Sequence, residues 1–252
     1  LIFSITVLLG ASVPIITTVI PSLFEASSFV LSLLPSGDFI TIIYLFALAT
    51  FFLALAGMDA GSGFGGFGSS REMTMAALAE GGLFFSLLVA SAIAQTGNVM
   101  TMVGSLQALP FQAYIPLTIA FIAFFIALLA ENSRFPVDNP ATHLELTMIH
   151  EAMILEYSGK RLALIEWASW SKLLVFIALG ANIFFPWGVA TSFVPQTLFV
   201  AMLWFAAKAA CFLFAIAFIE STMAKFRIFR VPDLLFTSFV LSVIALAITI
   251  TF

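Results

Sequence analysis

Long apolar runs, each about the length that crosses a lipid bilayer, constrain this chain more than any other feature. About 20 apolar residues are needed for a helix to cross roughly 30 Å of hydrocarbon. Seven runs meet that requirement, at residues 1–20, 39–58, 73–94, 114–130, 163–185, 197–221 and 232–252. The sequence therefore predicts an all-α integral membrane protein, a polytopic helical bundle with seven visible spans.

Composition agrees with this fold class and excludes several functions. The chain has 252 residues, of which 62% are hydrophobic and 9% are charged, whereas soluble domains carry about 25% charged residues. Its net charge of −4 argues against a nucleic-acid partner, because no basic patch is present to meet phosphates. Neither an internal repeat nor a soluble segment is apparent, so we expect one transmembrane domain over residues 1–252.

The basic residues of the loops predict the orientation. Every loop Lys and Arg falls in the second, fourth or sixth loop, as Arg71, Arg134, Lys160, Arg161, Lys225, Arg227 and Arg230. Cytoplasmic loops are enriched in Lys and Arg, so these loops are expected on the cytoplasmic side of a plasma (inner) membrane. Since the chain opens inside an apolar run, we also expect an eighth helix that precedes residue 1.

Few side chains could hold a redox cofactor. Cys211 is the single cysteine, and His143 and His150 are the two histidines. One thiolate cannot supply an ordinary iron–sulfur cluster, and two imidazoles two turns apart do not complete a metal site. We therefore predict no cofactor, no metal and no catalytic residue in this chain, and place any redox centre in another subunit.

The second loop is rich in glycine and contains the pattern G-x-G-x-x-G at Gly61, Gly63 and Gly66. A dinucleotide site would need a strand before this pattern, and here a membrane helix precedes it. We interpret the segment as a flexible or closely packed turn. The charged residues of this loop are expected to form interface or loop ion pairs; they are Asp59, Arg71 and Glu72.

The fourth loop is the longest, and after Arg134 and Asp138 a helix is expected that runs to Tyr157. Its start has two interpretations. Asn139 could cap it with Pro140 at the first position, or Thr142 could cap it with Glu145 closing a capping box.

On that helix Glu145 and Glu156 would share one face, about 16 Å apart along the axis. This face is expected to line an internal polar cavity. The opposite face would carry His143 and His150 towards a partner protein. The alternative is that each of these side chains is a solvated loop charge.

Ionisable residues also lie within or at the ends of the spans. They are Glu80, Glu131, Glu166, Lys172 and Lys208. Because such groups are costly in a bilayer, they usually line a bundle interior or a water-filled path. Two interpretations remain open for the lysines, an ion pathway or a structural charge pair.

The fourth loop carries the resemblance to a known family. Residues 136–140 (PVDNP), Glu145-Leu146 and residues 156–159 (EYSG) resemble the signature loop of the respiratory complex I component called mitochondrial subunit 1. The fuller string from Asp138 to Gly159, followed by residues 163–167 (ALIEW), more closely resembles the relatives in membrane-bound hydrogenases and formate hydrogenlyase, such as hydrogenase-4 component C. The complex I loop has further glutamates before its Glu-Leu, where this chain has Ala141 and His143.

The resemblance implies eight membrane helices and a place in a multi-subunit complex. The implied partners are hydrogenase large and small subunits, an iron–sulfur subunit and antiporter-like membrane subunits, with iron–sulfur clusters and nickel–iron in those partners. It implies coupling through Glu80, Glu131, Glu145, Glu151 and Glu156. A complex I subunit that lines a quinone chamber is the second interpretation, and a stand-alone ion transporter is the third.

Overall fold

The computed structural model describes residues 38–107, 109, 113–138, 148–189, 194–224, 226 and 228–251. Over these residues the chain is helical, with one short 3₁₀ turn at Ile228–Arg230. The α-helices are α1 (Phe39–Asp59), α2 (Gly63–Ala94), α3 (Val99–Leu106), α4 (Tyr114–Glu131), α5 (His150–Ile154), α6 (Gly159–Ile183), α7 (Pro195–Thr222) and α8 (Val231–Thr251). The expected all-α class is confirmed.

Six helices are long and apolar enough to cross a membrane, namely α1, α2, α4, α6, α7 and α8. They coincide with six of the seven predicted spans, while the span predicted at 1–20 lies outside the described residues. A helix satisfies its own backbone hydrogen bonds, which is why apolar runs of this length adopt it in lipid. The short helix α3 lies in the third loop and was not predicted; the side chain of Asn98 caps it by accepting from the N–H of Met100 at 2.9 Å.

The longest helix, α2, is the centre of the bundle and packs against α1, α4, α5 and α8. The main apolar core runs between these helices and α6, around fully buried side chains such as Leu83, Leu87, Phe124 and Phe176. Helix α7 stands apart, with α6 as its main neighbour among the described helices. Most of its side chains therefore face away from the protein.

The glycine-rich segment differs from its prediction, because α2 begins at Gly63 and only residues 60–62 form the turn. Ser62 caps the helix by accepting from the N–H of Gly65 at 3.2 Å. A Cβ atom at Gly65 would collide with the backbone oxygen of Gly57. The glycines thus allow α1 and α2 to approach closely, as small residues do between membrane helices.

The helix predicted to run through the fourth loop to Tyr157 is also wrong over its described part. Residues 148–149 are not helical, and α5 covers only His150–Ile154. The carboxylate of Asp138 accepts the N–H groups of Ile149 and His150, each at 3.2 Å. A carboxylate from a distant part of the loop therefore caps α5, and the break at residues 148–149 interrupts the continuous helix on which the shared face of Glu145 and Glu156 was predicted.

Candidate functional site

A buried ion pair joins three membrane helices at the end of the bundle that contains α5, which we call the α5 end. The Nζ atom of Lys172 in α6 lies 2.9 Å from Oε2 of Glu131 at the end of α4. The same ammonium donates to the hydroxyl of Thr50 in α1 at 3.0 Å. The Glu131 side chain is 2% exposed and that of Lys172 is 13% exposed, so both charges are largely removed from solvent and depend on each other.

The ion pair lines a small cavity, which we call cavity A and which both apolar and polar residues line. Its volume open to the centre of a water molecule is about 40 Å³. Its other polar lining residues are Thr50, Glu72, Asn132, Ser133, His150 and Ser169. The prediction of a loop position for Glu72 is wrong, because this residue lies in α2 and is 6% exposed. Five helices, α1, α2, α4, α5 and α6, and the loop after α4 therefore contribute polar residues to one cavity.

Glu80 extends this arrangement along α2. It lies eight residues after Glu72, or about 12 Å along a helix axis, and is half-buried. It interacts electrostatically with both Glu131 and Lys172, as does Glu72. The three carboxylates and the lysine thus form one electrostatically connected group.

His150 faces this group and does not point outward as predicted. Burial lowers the pKa of its imidazole to about 4, and the positive charge of Lys172 adds to this effect. Asp138 opposes the shift and Arg134 reinforces it. Histidine with such a pKa is neutral near neutral pH, so His150 contributes a dipole and a ring to the cavity wall rather than a charge.

A second and more polar cavity, cavity B, lies next to the first and has a volume of about 160 Å³. Its charged lining residues are Arg134, Asp138, Glu151 and Glu166. Arg134 lies 3.7 Å from Glu220 at the end of α7 and 5.0 Å above the ring of Trp170. Asn132, Ser133, His150 and Ser169 line both cavities.

Glu156 lies elsewhere, in an open cleft at the surface of the α5 end. Asp59, Lys160 and Arg161 share this cleft, and all four charged residues are exposed. The neighbouring Tyr157 hydroxyl donates to the carbonyl oxygen of Ala56 at 2.8 Å, which ties the loop to α1. A mixed-charge surface of this kind is suited to a protein contact. Arg71 lies in α2 and binds the fourth loop, since its guanidinium donates to the carbonyl oxygen of Met148 at 3.1 Å.

Lys208 is separate from these groups. Its ammonium donates to the carbonyl oxygens of Phe185 at 2.6 Å and Ala181 at 3.4 Å, where α6 ends. The adjoining cavity, of about 290 Å³, is otherwise lined by apolar side chains and Cys211. The carbonyl groups at a helix end lack helical partners, and Lys208 satisfies them, which favours the structural interpretation of this lysine.

Two predicted site residues, His143 and Glu145, lie outside the described residues. The sequence analysis missed Thr50, Asn132 and Ser169, although each is a polar residue beside or within an apolar run. Within the described ranges, no group of three or more His, Cys, Asp and Glu side chains is placed to hold a metal ion. The assignment of redox centres to other subunits stays a prediction.

The chain is similar to membrane subunits of known respiratory and hydrogenase complexes. The family model described as NADH dehydrogenase matches residues 1–251. Formate hydrogenlyase subunit 4 of Escherichia coli (strain K12) is 32% identical over 81% of this chain and 65% of its own length. Hydrogenase-4 component C of the same strain is 32% identical over 83% of this chain and 65% of its own length. The chain thus spans slightly less than two thirds of the length of these relatives.

Among solved structures, a chain of the membrane-bound sulfane sulfur reductase, an archaeal respiratory membrane complex, has the same fold. The TM-score is 0.74 at 19% sequence identity, and the match covers 99% of this chain and 80% of that chain. The resemblance predicted from the fourth-loop motif is confirmed by these matches.

Proposed function

This chain belongs to the NADH dehydrogenase family, and we propose that it is the membrane anchor and coupling subunit of a group 4 hydrogenase or formate hydrogenlyase type of complex. The two hydrogenase-type relatives support this assignment over the complex I type. In this proposal partner subunits hold the iron–sulfur and nickel–iron centres, and antiporter-like membrane subunits translocate the ion.

The observation that carries the coupling role is the buried pair of Lys172 and Glu131 in cavity A. A buried ion pair adds little net stability compared with apolar residues of the same volume, so its presence within a membrane bundle calls for a functional explanation. A proton that arrives at Glu131 would remove the partner charge of Lys172. The ammonium would then be drawn towards Glu72 or Glu80, and a redox change at the α5 end would be passed along the bundle.

The surface cleft around Glu156 supports the anchoring role. Exposed acidic and basic residues lie side by side there, and such a surface can meet a complementary partner with defined orientation. We assign this cleft to docking of the peripheral arm. We expect the α5 end to face the cytoplasm, in keeping with the positive charges of its loops.

The decisive experiment measures ion uptake per electron in proteoliposomes that contain the whole complex. Glu131→Gln and Glu80→Gln are expected to leave the complex assembled and to lower ion uptake. Turnover with an artificial electron acceptor should persist, because the redox centres are elsewhere. Glu156→Gln serves as the comparison, and loss of the peripheral arm from that variant would identify a docking contact. Normal ion uptake in both Glu131→Gln and Glu80→Gln would exclude proton transfer through these carboxylates.

Two other functions are distinguished by purification through a tag on this chain. A stand-alone transporter would purify alone, whereas an anchor would bring iron–sulfur subunits with it. A complex I type assembly, which the family description also supports, would reduce quinone and contain no nickel. Nickel in the purified complex would favour the hydrogenase type.

A further inference from the structure

Asn132 presents a buried oxygen to the boundary between the two polar cavities. It directly follows Glu131, the last residue of α4. Its Nδ2 atom donates to the carbonyl oxygen of Leu128 at 2.8 Å, which identifies the nitrogen end of the amide and directs the other end away. Its Oδ1 atom is buried and accepts no hydrogen bond from the part of the chain that the structure describes. Buried polar atoms almost always have a partner, either protein or water.

The surroundings of this oxygen can hold water. Asn132 lines both cavity A, of about 40 Å³, and cavity B, of about 160 Å³. A site needs roughly 10–15 Å³ open to water centres, and two or more polar partners, to hold one water molecule. Ser133 and Ser169 line both cavities as well, and their hydroxyl groups can supply those further partners. The boundary therefore combines polar side chains, space for water and an acceptor that no described residue occupies.

We propose that Asn132 binds a water molecule which bridges cavity B to cavity A, and that protons reach the pair of Lys172 and Glu131 through this water. The inference rests on the proposed function and names the entrance of its proton route. Asn132 is a positioning residue here, since it acts by holding the water.

The proton balance of the route is simple. The bridging water accepts one proton from the side of cavity B and releases another of its protons towards a carboxylate of cavity A. Asn132 accepts a hydrogen bond from the water throughout and neither gains nor loses a proton. A carboxylate at this position would capture the proton, whereas an amide holds the water without doing so. Neutral His150 at the same boundary adds no positive charge that would repel the proton.

The entrance at cavity B is favoured over the surface cleft at Glu156. Glu151 and Glu166 line cavity B, and Glu166 is exposed, so carboxylates extend from the surface to the boundary. The cleft around Glu156 shares no lining residue with cavity A. The geometry thus gives the two surfaces different roles, docking at the cleft and proton uptake at cavity B.

Two substitutions at Asn132 separate its acceptor from its bulk. Asn132→Leu keeps the branched shape of the side chain and removes the acceptor, although it is bulkier and also loses the donor to Leu128. Asn132→Ser keeps an acceptor, and its hydroxyl can donate to the carbonyl four residues earlier, as Ser171 does at 2.8 Å. Ser171→Leu is the matched control, because this residue is on α6 beside Lys172 but lines neither cavity. Should Asn132→Leu fail to assemble, Asn132→Val is the smaller apolar replacement with the same expectation.

Two measurements on the assembled complex test the route. Infrared spectroscopy after transfer to D₂O follows exchange at those carboxyl groups of cavity A that carry a proton, with the Glu72→Gln and Glu131→Gln variants assigning the bands. We expect Asn132→Leu to slow exchange about tenfold, the factor that corresponds to loss of one hydrogen bond. Ion uptake per electron in proteoliposomes should fall in the same variant. In Asn132→Ser and Ser171→Leu, the exchange rate and the ion uptake per electron should both remain close to the values of the unsubstituted complex.

The outcomes distinguish this inference from the proposed function. Unchanged exchange and uptake in Asn132→Leu, together with lowered uptake in Glu131→Gln, would overturn the Asn132 route and leave the coupling role intact. Normal uptake in both variants would overturn both. Equal impairment of Asn132→Ser and Asn132→Leu would also count against the water, because the acceptor would then not be the cause.

Discussion

The ammonium of Lys172 and the carboxylate of Glu131 lie 2.9 Å apart in the interior of the α5 end, although 41 residues separate them in the chain. Removing one partner of a buried pair leaves the other charge without compensation and costs about 3–5 kcal/mol. We therefore expect Lys172→Met alone to lower the thermal unfolding midpoint of the purified protein clearly. The double variant Lys172→Met with Glu131→Gln should recover most of that loss. A double variant no better than Lys172→Met would mean that the two charges do not depend on each other.

The glycines of α2 differ in how closely neighbouring atoms approach them. Substitutions at Gly65 and Gly66 therefore test whether close helix packing requires a glycine at each position. Gly65→Ala would place a methyl group against the backbone of Gly57, and such overpacking costs about 1–3 kcal/mol. A Cβ atom at Gly66 meets nothing within 4 Å. Gly66→Ala should therefore be neutral or stabilise the helix by about 0.5–1 kcal/mol. Thermal unfolding in detergent measures both, and equal effects of the two substitutions would contradict the close approach of α1 and α2.

Asp138 should hold α5 in place, because its carboxylate accepts two backbone N–H groups at the start of that helix. Replacement of a capping carboxylate by alanine costs about 0.5–2 kcal/mol. We expect Asp138→Ala to speed amide hydrogen exchange in residues 149–154, while α8 remains as protected as before. Asp138→Asn keeps one acceptor, so its amide exchange rates in residues 149–154 should lie between those of the unsubstituted protein and those of Asp138→Ala. Unaltered exchange at Ile149 and His150 in Asp138→Ala would show that the cap is dispensable.

The lowered pKa of His150, about 4 in the folded protein against 6.5 for an exposed histidine, predicts a pH dependence of stability. The unfolded chain takes up the proton first as the pH falls, so the folded state loses stability between about pH 6.5 and about pH 4. The facing groups Lys172 and Arg134 reinforce this shift, and Asp138 opposes it. Glutamine cannot titrate, so in His150→Gln the thermal unfolding midpoint should change less with pH over that interval. If the variant and the unsubstituted protein lose stability in parallel, His150 is not the responsible group.

The orientation prediction can be tested with single cysteines in a Cys211→Ser background. Ser158 and Ser105 are both exposed and lie at opposite ends of the bundle. In intact cells an impermeant thiol reagent should label Ser105→Cys and not Ser158→Cys, since positively charged loops stay in the cytoplasm. Permeabilised cells should label both, which controls for accessibility. Labelling of Ser158→Cys in intact cells would invert the assignment.

The sequence alone predicted an all-α membrane protein and all six membrane-spanning helices found among the described residues. Each apolar run is long enough to cross the bilayer, and a helix is the form in which such a run satisfies its own backbone. The motif of residues 136–140 and 156–159 likewise predicted the family that the comparisons confirmed. Glu131 and Lys172 were also singled out from the sequence, because charges in apolar runs stand out by composition.

Only the tertiary structure decided which of these groups meet. Glu131 and Lys172 form a pair with Thr50, whereas Lys208, equally conspicuous in the sequence, instead caps the end of α6. Helical periodicity failed in the fourth loop because Asp138 starts α5 through a contact spanning 11 residues, which no local pattern encodes. The loop assignment of Glu72 failed because the glycines before it allow α2 to start earlier against α1. Local propensity sets where a membrane helix can form, but the distances between helices decide which polar groups share a cavity.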